Sequence, residues 1–176
     1  MPSSRHILFV IAPERFRDEE LFEPRGAVER DGHHVITVST RPGTAVGARG
    51  AREPVARSVT DAAHDALDLI VIVGGAGAPD HLWDHEPLLH AARRHFLAGA
   101  PIAAICLASV VLARAGILSG RRATVFPSPR ALLELRRGGA IYVAEPVVRD
   151  GTIVTASGPE AAAAFGVALV SLLRSA

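Results

Sequence analysis

One cysteine, Cys106, stands where the apolar run Pro101-Ile102-Ala103-Ala104-Ile105 gives way to the helical pattern of residues 107–116. A thiol in a sharp strand-to-helix turn projects from the sheet edge toward unpaired N–H groups, which is the arrangement of a nucleophile elbow. Such a turn needs small residues two positions either side of the nucleophile, and both Ala104 and Ala108 are alanine. The positive end of a helix favours thiolate over thiol, starting from a free-cysteine pKa of about 8.5. Buried structural cysteines are common, but the switch from strand to helix favours the elbow.

Two other segments reach the same sheet edge. The run Leu69-Ile70-Val71-Ile72-Val73 leads into Gly74-Gly75-Ala76-Gly77-Ala78-Pro79, and glycines at the carboxyl end of a parallel strand expose backbone N–H groups where open α/β sheets hold ligands. A dinucleotide fingerprint would need a third glycine where this chain has Asp80. Gly75 is therefore read as an oxyanion donor facing Cys106, against the blander reading of a tight turn before the helix start at Pro79. The acidic stretch Asp18-Glu19-Glu20 follows the first strand. Most of its charges suit a solvated helix start, and spacing does not say which of them turns inward. His81 and His85, four apart, would share one helix face as metal ligands do, but surface histidines are the better reading because no further His or Cys cluster lies nearby.

Composition narrows the chemistry. All nineteen basic residues are arginine, and lysine, asparagine and glutamine are absent. Schiff-base lysine, P-loop lysine and a Cys-His-Asn triad are thereby excluded, and an oxyanion must be met by backbone N–H, arginine, hydroxyl or histidine. A net charge of +1, with one Trp and one Tyr, argues against nucleic acid as a partner. The longest apolar run, residues 102–113, is too short for the roughly 20 residues of a membrane helix. Only seven apolar or near-apolar residues precede Pro13, with no small-residue cleavage site, so no signal peptide and no membrane are expected. One cysteine forms no intrachain disulfide, consistent with a cytoplasmic location. No cofactor or metal is called for.

The elements that must position these groups follow from periodicity. Residues 6–12, 35–39 and 67–73 read as buried parallel strands, with a helix around residues 21–31 between the first two. Residues 42–54 are a loop or small hairpin before a short strand near Val55, and Thr60-Asp61 caps a brief helix. Residues 87–97 form an amphipathic helix stopped by Gly99. After the elbow come strand-like residues 122–126, a helix at 129–137, strands at 140–143, 146–149 and 152–156 around the turn Asp150-Gly151, and a closing helix at 160–173. Alternation of this kind predicts one domain over residues 1–176: a three-layer α/β/α sandwich with a doubly wound, mostly parallel, flavodoxin-like sheet.

The elbow Ala103-Ala104-Ile105-Cys106, the Gly74-Gly75 turn, the helix start from Asp18 to Pro24, Gly116-Ile117-Leu118-Ser119-Gly120, the Asp150-Gly151 hairpin and Ser157-Gly158-Pro159 together resemble the ThiJ/PfpI superfamily. That group, with its glutamine-amidotransferase-like fold, includes a Parkinson's-linked deglycase and chaperone, intracellular proteases, class III glyoxalases and isonitrile hydratases. The resemblance implies that Glu20, four residues before Pro24, partners the Cys106 sulfur and that Gly75 and the amide of Leu107 are the oxyanion donors. Protonated, Glu20 would donate to a thiolate and lower the thiol pKa; ionised, it would raise it. The pair would titrate as a unit. Gly74, Asp80, His81, Phe126 and Pro159 are pocket candidates, and Arg25 is a further group that could reach in.

Two departures matter. Leu107 stands where protease-type members carry histidine, and Phe126 where deglycase-type members do. Asp80 matches the acid that protease-type members lend from a neighbouring subunit, yet no imidazole awaits it. The expected function is a cysteine-dependent enzyme of hydratase, lyase or hydrolase type acting on a reactive carbonyl or isonitrile, with Leu107 and Phe126 favouring a hydrophobic or aromatic substrate. The alternatives are an oxidation-sensing stress protein or chaperone, and a PfpI-type protease with His81 as replacement base. A homodimer or larger homo-oligomer is the expected assembly.

Overall fold

The computed structural model describes residues 4–176; residues 1–3, part of the stretch read as lacking a leader, lie outside the described residues. In chain order the elements are β1 (His6–Val10), β2 (Glu14–Phe16), α1 (Asp18–Arg30), β3 (His34–Val38), β4 (Gly43–Gly47), β5 (Arg52–Val55), α2 (Val59–Ala62), β6 (Leu69–Ile72), α3 (Ala78–His81) and α4 (Glu86–Leu97). They continue with β7 (Ile102–Ile105), a 3-10 turn (Cys106–Ala108), α5 (Ser109–Arg114), β8 (Arg122–Ala123), α6 (Pro129–Arg137), β9 (Ile141–Tyr142), β10 (Val147–Asp150), β11 (Ile153–Ala156), a second 3-10 turn (Pro159–Ala161) and α7 (Ala162–Arg174).

Six strands form the central sheet in the order β10-β11-β7-β6-β1-β3. All neighbours pair in parallel except the edge hairpin β10–β11. Alternation along each strand splits the core in two. Leu8, Val10, Ile70, Ile72, Ile102 and Ala104 face one layer, where α4, α5 and α6 pack. Ile7, Phe9, Leu69, Val71, Ala103 and Ile105 face the other, where α1 and α7 pack. A period of two on a sheet covered on both sides gives the near-continuous apolar runs seen in β1, β6 and β7. The chain therefore folds as the three-layer sandwich its alternation implied. From β1 the chain winds outward to β3 and then back across to β6, so the crevice between the carboxyl ends of β1 and β6 is the topological switch point, where open α/β sheets bind ligands.

Several local expectations change. The stretch 42–54 takes the hairpin alternative, β4 with β5, and β2 joins it in parallel to make a small separate sheet. Ser58 caps α2 through a reciprocal arrangement with Asp61, in place of Thr60-Asp61. The strand-like runs 122–126 and 140–143 shrink to two residues each and pair with one another outside the central sheet. His81 and His85 do not share a helix face: His81 ends α3, while His85 caps α4, its Nδ1 accepting from the Leu88 N–H at 3.3 Å. The single loop turn between them removes the geometry a ligand pair would need.

Candidate active site

β1, β6 and β7 end side by side, and the residues following each of them converge. After β1 the chain makes β2 and enters α1, whose first turn carries Glu20 inward, fully buried. Pro24, four residues on, has no N–H to give the Glu20 carbonyl, yet the helix continues through it. The lead-in to α1 is docked on the glycine turn. Arg17 N–H donates to the Gly74 carbonyl at 3.0 Å, and Gly77 N–H to the Arg15 carbonyl at 3.1 Å. Gly75 has φ 113°, and a side chain there would strike the Arg17 amide and lie 2.5 Å from the Arg15 carbonyl oxygen. Gly74 is constrained by contact: a methyl group on it would sit 2.5 Å from Glu20 Oε2, 2.6 Å from the Ile105 carbonyl oxygen and 2.7 Å from Cys106 Cβ. The missing side chain at Gly74 is the space in which the carboxyl and the cysteine meet.

Cys106 follows β7 directly. Ile105 is extended, and Cys106 turns to φ 62°, the left-handed region that costs a residue with a Cβ of order 1–3 kcal/mol. Ala104 and Ala108 are both fully buried, as close packing around such a turn requires. Two hydrogen bonds fix the elbow from either side. The Phe126 N–H donates to the Cys106 carbonyl at 3.4 Å, and the indole Nε1–H of buried Trp83 donates to the Leu107 carbonyl at 2.8 Å. Arg114 and Arg130 stack on the Trp83 ring, their guanidinium carbons 5.3 and 4.8 Å from its centroid.

The electrostatics of the pair follow from burial without a cation. Glu20 is pushed up to about 7, chiefly by desolvation; the Cys106 thiol, the Gly74 amide and the positive charge of Arg17 offset only part of it. Neither carboxyl oxygen has a well-aligned hydrogen bond among the described residues. The Cys106 thiol is also pushed up, by burial first and then by the charge and hydrogen bonding of an ionised Glu20, against a smaller opposing pull from the Leu107 and Gly75 N–H groups. The helix dipole alone therefore does not set the thiol, because the helix begins as a three-residue 3-10 turn and the sulfur is buried. Protonating Glu20 removes its charge and turns the carboxyl into a donor toward sulfur, so the two groups titrate as a coupled pair.

The remaining candidates divide. Asp80 and His81 lie on α3, which packs on the Cys106–Ala108 turn, but Asp80 is committed to Arg15 at 2.5 Å on the surface. Arg25 does not reach in: it pairs with Glu53 at 2.5 Å and Thr37 at 3.1 Å under β3 and β5. Phe126 and Pro159 line a neighbouring cleft of about 470 Å³. Sequence reasoning missed Trp83 and Arg17. The lone tryptophan, beside the Asp80-His81 segment, was a visible signal; Arg17, held by Glu19 at 2.8 Å, looked like any helix-start charge. Among the described residues no three His, Cys, Asp or Glu side chains gather as a metal site, and no helix is long and apolar enough to cross a membrane.

Residues 5–172 match the model of the DJ-1/PfpI family. An uncharacterized protein of Methanocaldococcus jannaschii is 44% identical over 168 residues, spanning 96% of this chain and 82% of its own length. The deglycase PfpI of Pyrococcus furiosus is 32% identical over 168 residues, covering 96% and 99% of the two chains. Among solved structures, a ThiJ/PfpI domain protein from Brachyspira murdochii superposes with a TM-score of 0.91 at 30% identity, covering 99% of both chains.

Proposed function

The chain belongs to the DJ-1/PfpI family, and from that premise we propose that it is an enzyme in which the Cys106 sulfur adds to a small electrophilic carbon, a reactive carbonyl or an isonitrile, with Glu20 carrying the proton. The observation that carries this reading is the left-handed Cys106, at φ 62°, sharing the space over Gly74 with a fully buried carboxyl that has no cation bound to it. Strain and an unpaired buried acid both cost stability, and they occur together at one point of the fold.

The step would run as follows for a carbonyl substrate. As the sulfur forms its bond to carbon, the thiol proton passes to Glu20, and the carbonyl π electrons move to oxygen. The resulting oxyanion faces the N–H groups of Gly75 and Leu107 and takes the proton back from Glu20. A carboxyl titrating near 7 suits both halves of that exchange at neutral pH. The names of deglycase relatives, PfpI among them, support enzymatic activity. A protease reading lacks its relay: Leu107 occupies the position where protease-type members carry histidine, and Asp80 is held by Arg15.

The rate of Cys106 alkylation against pH, in wild type and Glu20→Gln, tests the assignment. The expected result is a profile with an inflection near 7 in wild type that disappears in the variant. A thiol that reacts like free cysteine in both proteins overturns it.

A further inference from the structure

We propose that the cleft beside the elbow is a subsite for an uncharged, ring-bearing portion of the substrate, with the Thr124 hydroxyl hydrogen-bonding a polar atom of that ligand. The inference rests on Cys106 being the attacking sulfur and adds what that sulfur selects.

Three observations carry it. The first is shape and lining. The cleft, about 470 Å³, lies within the range of small-molecule sites, and its walls include Phe126, Tyr142, Pro146 and Pro159. Phe126 and Tyr142 are 44% and 40% exposed, unusual for aromatic rings that could pack inward, and the Phe126 N–H, bonded to the Cys106 carbonyl at 3.4 Å, sets this wall of the cleft next to the elbow. Gly158 keeps the opposite wall close: a Cβ there would sit 3.4 Å from Phe126 Cδ2. Rings of this kind bind a flat apolar group by offset or edge-on stacking.

The second is an orphaned hydroxyl. Thr124 lines the cleft and is fully buried; its N–H donates to Thr155 Oγ1 at 2.9 Å, yet its own Oγ1 has no partner among the described residues. A buried hydroxyl left unpaired costs of order 1–3 kcal/mol, which a ligand oxygen or N–H would relieve.

The third is charge. The lining contains the carboxylates Glu145 and Glu160 and no arginine or histidine. Arg122, 3.7 Å from Glu145, is not part of the lining. A ligand bearing a carboxylate or phosphate would meet two like charges, whereas a neutral aryl carbonyl compound meets none.

The test compares three alkylating agents, iodoacetamide, N-benzyl iodoacetamide and iodoacetate, from whose methylene carbon the Cys106 sulfur displaces iodide, each normalised to its rate with glutathione. The expected order is benzyl first by tenfold or more over iodoacetamide, and iodoacetate slowest. Thr124→Val and Phe126→Ala are each expected to shrink the benzyl advantage at least fivefold. A wild-type protein with the same preferences as glutathione overturns the subsite and leaves the catalytic reading intact. If Cys106 proves inert to all three agents, the catalytic reading fails, and the cleft is judged by titrating acetophenone against the amide resonances of Thr124 and Tyr142. Shifts that saturate and are lost in Thr124→Val support the subsite. No shift overturns it, as do shifts at the same residues on concentrating the protein alone, which would assign the cleft to a second copy of the chain.

Discussion

Two glutamates are buried in this protein, and they have opposite titrations. Glu134, on α6, lies between Arg114 at 3.0 Å and Arg137 at 3.1 Å, and these hold its carboxyl below the usual range. Glu20, on α1, has no ion-pair partner at all among the described residues and is pushed up to about 7. Burial opposes ionisation in both. What differs is whether the fold supplies a cation, and the difference separates a carboxylate that clamps helices from a carboxyl that can gain and lose a proton near neutrality.

The comparison breaks most readily on activity. Glu20→Gln is expected to slow turnover by about 10²- to 10⁴-fold, the usual weight of a proton-transfer group, while Glu134→Gln stays near wild type; equal losses in parallel assays would erase the distinction. The next largest effect is on stability against pH, and the signs are opposite. For Glu20 the folded pKa is raised, so its contribution is complete below the unfolded value of about 4.5 and is lost as pH rises toward 7, by roughly 3 kcal/mol in all. Chemical denaturation of Glu20→Gln should show that decline removed. For Glu134 the folded pKa is lowered, so its contribution is present above the ordinary carboxylate range and lost as pH falls through the folded value.

A smaller perturbation sharpens the same contrast from the other side. Gly74→Ala should cost about 1–3 kcal/mol in denaturation midpoint and displace the carboxyl from the sulfur, uncoupling the two in the pH profile without touching either. Smallest of all is Glu134→Gln on stability, about 1 kcal/mol or less at neutral pH. Arg137 is mostly in solvent, and Arg114 keeps Asp84. A larger loss than for Gly74→Ala would mean that the clamp, and not the elbow, is the tighter part of the fold.

Much of the fold, though not this contrast, was already legible in the chain. The short, near-continuous apolar runs of β1, β6 and β7 read as strands buried on both faces, and the cysteine at the end of β7 with alanines two positions to either side defined the elbow. Glu20 was legible only through likeness to a family, because three consecutive acids at a helix start are indistinguishable until the helix is docked. β2 was not legible: three residues with two charged side chains have no pattern of their own, and its pairing with β4 lies about thirty residues away. The strand-like runs flanking α6 were overread, since β-branched composition speaks to burial and not to which sheet a strand joins. His81 and His85, which the spacing would set on one helix face, belong to separate helices, because helical periodicity holds only within one helix.

The hydrogen bond from Trp83 to the Leu107 carbonyl has an optical meaning. The chain contains one indole and one thiol, and the indole is anchored to the peptide next to the thiol. Its near-ultraviolet emission is therefore a native gauge of the elbow, read without a label, in which a displacement of the Leu107 carbonyl is reported by a single fluorophore.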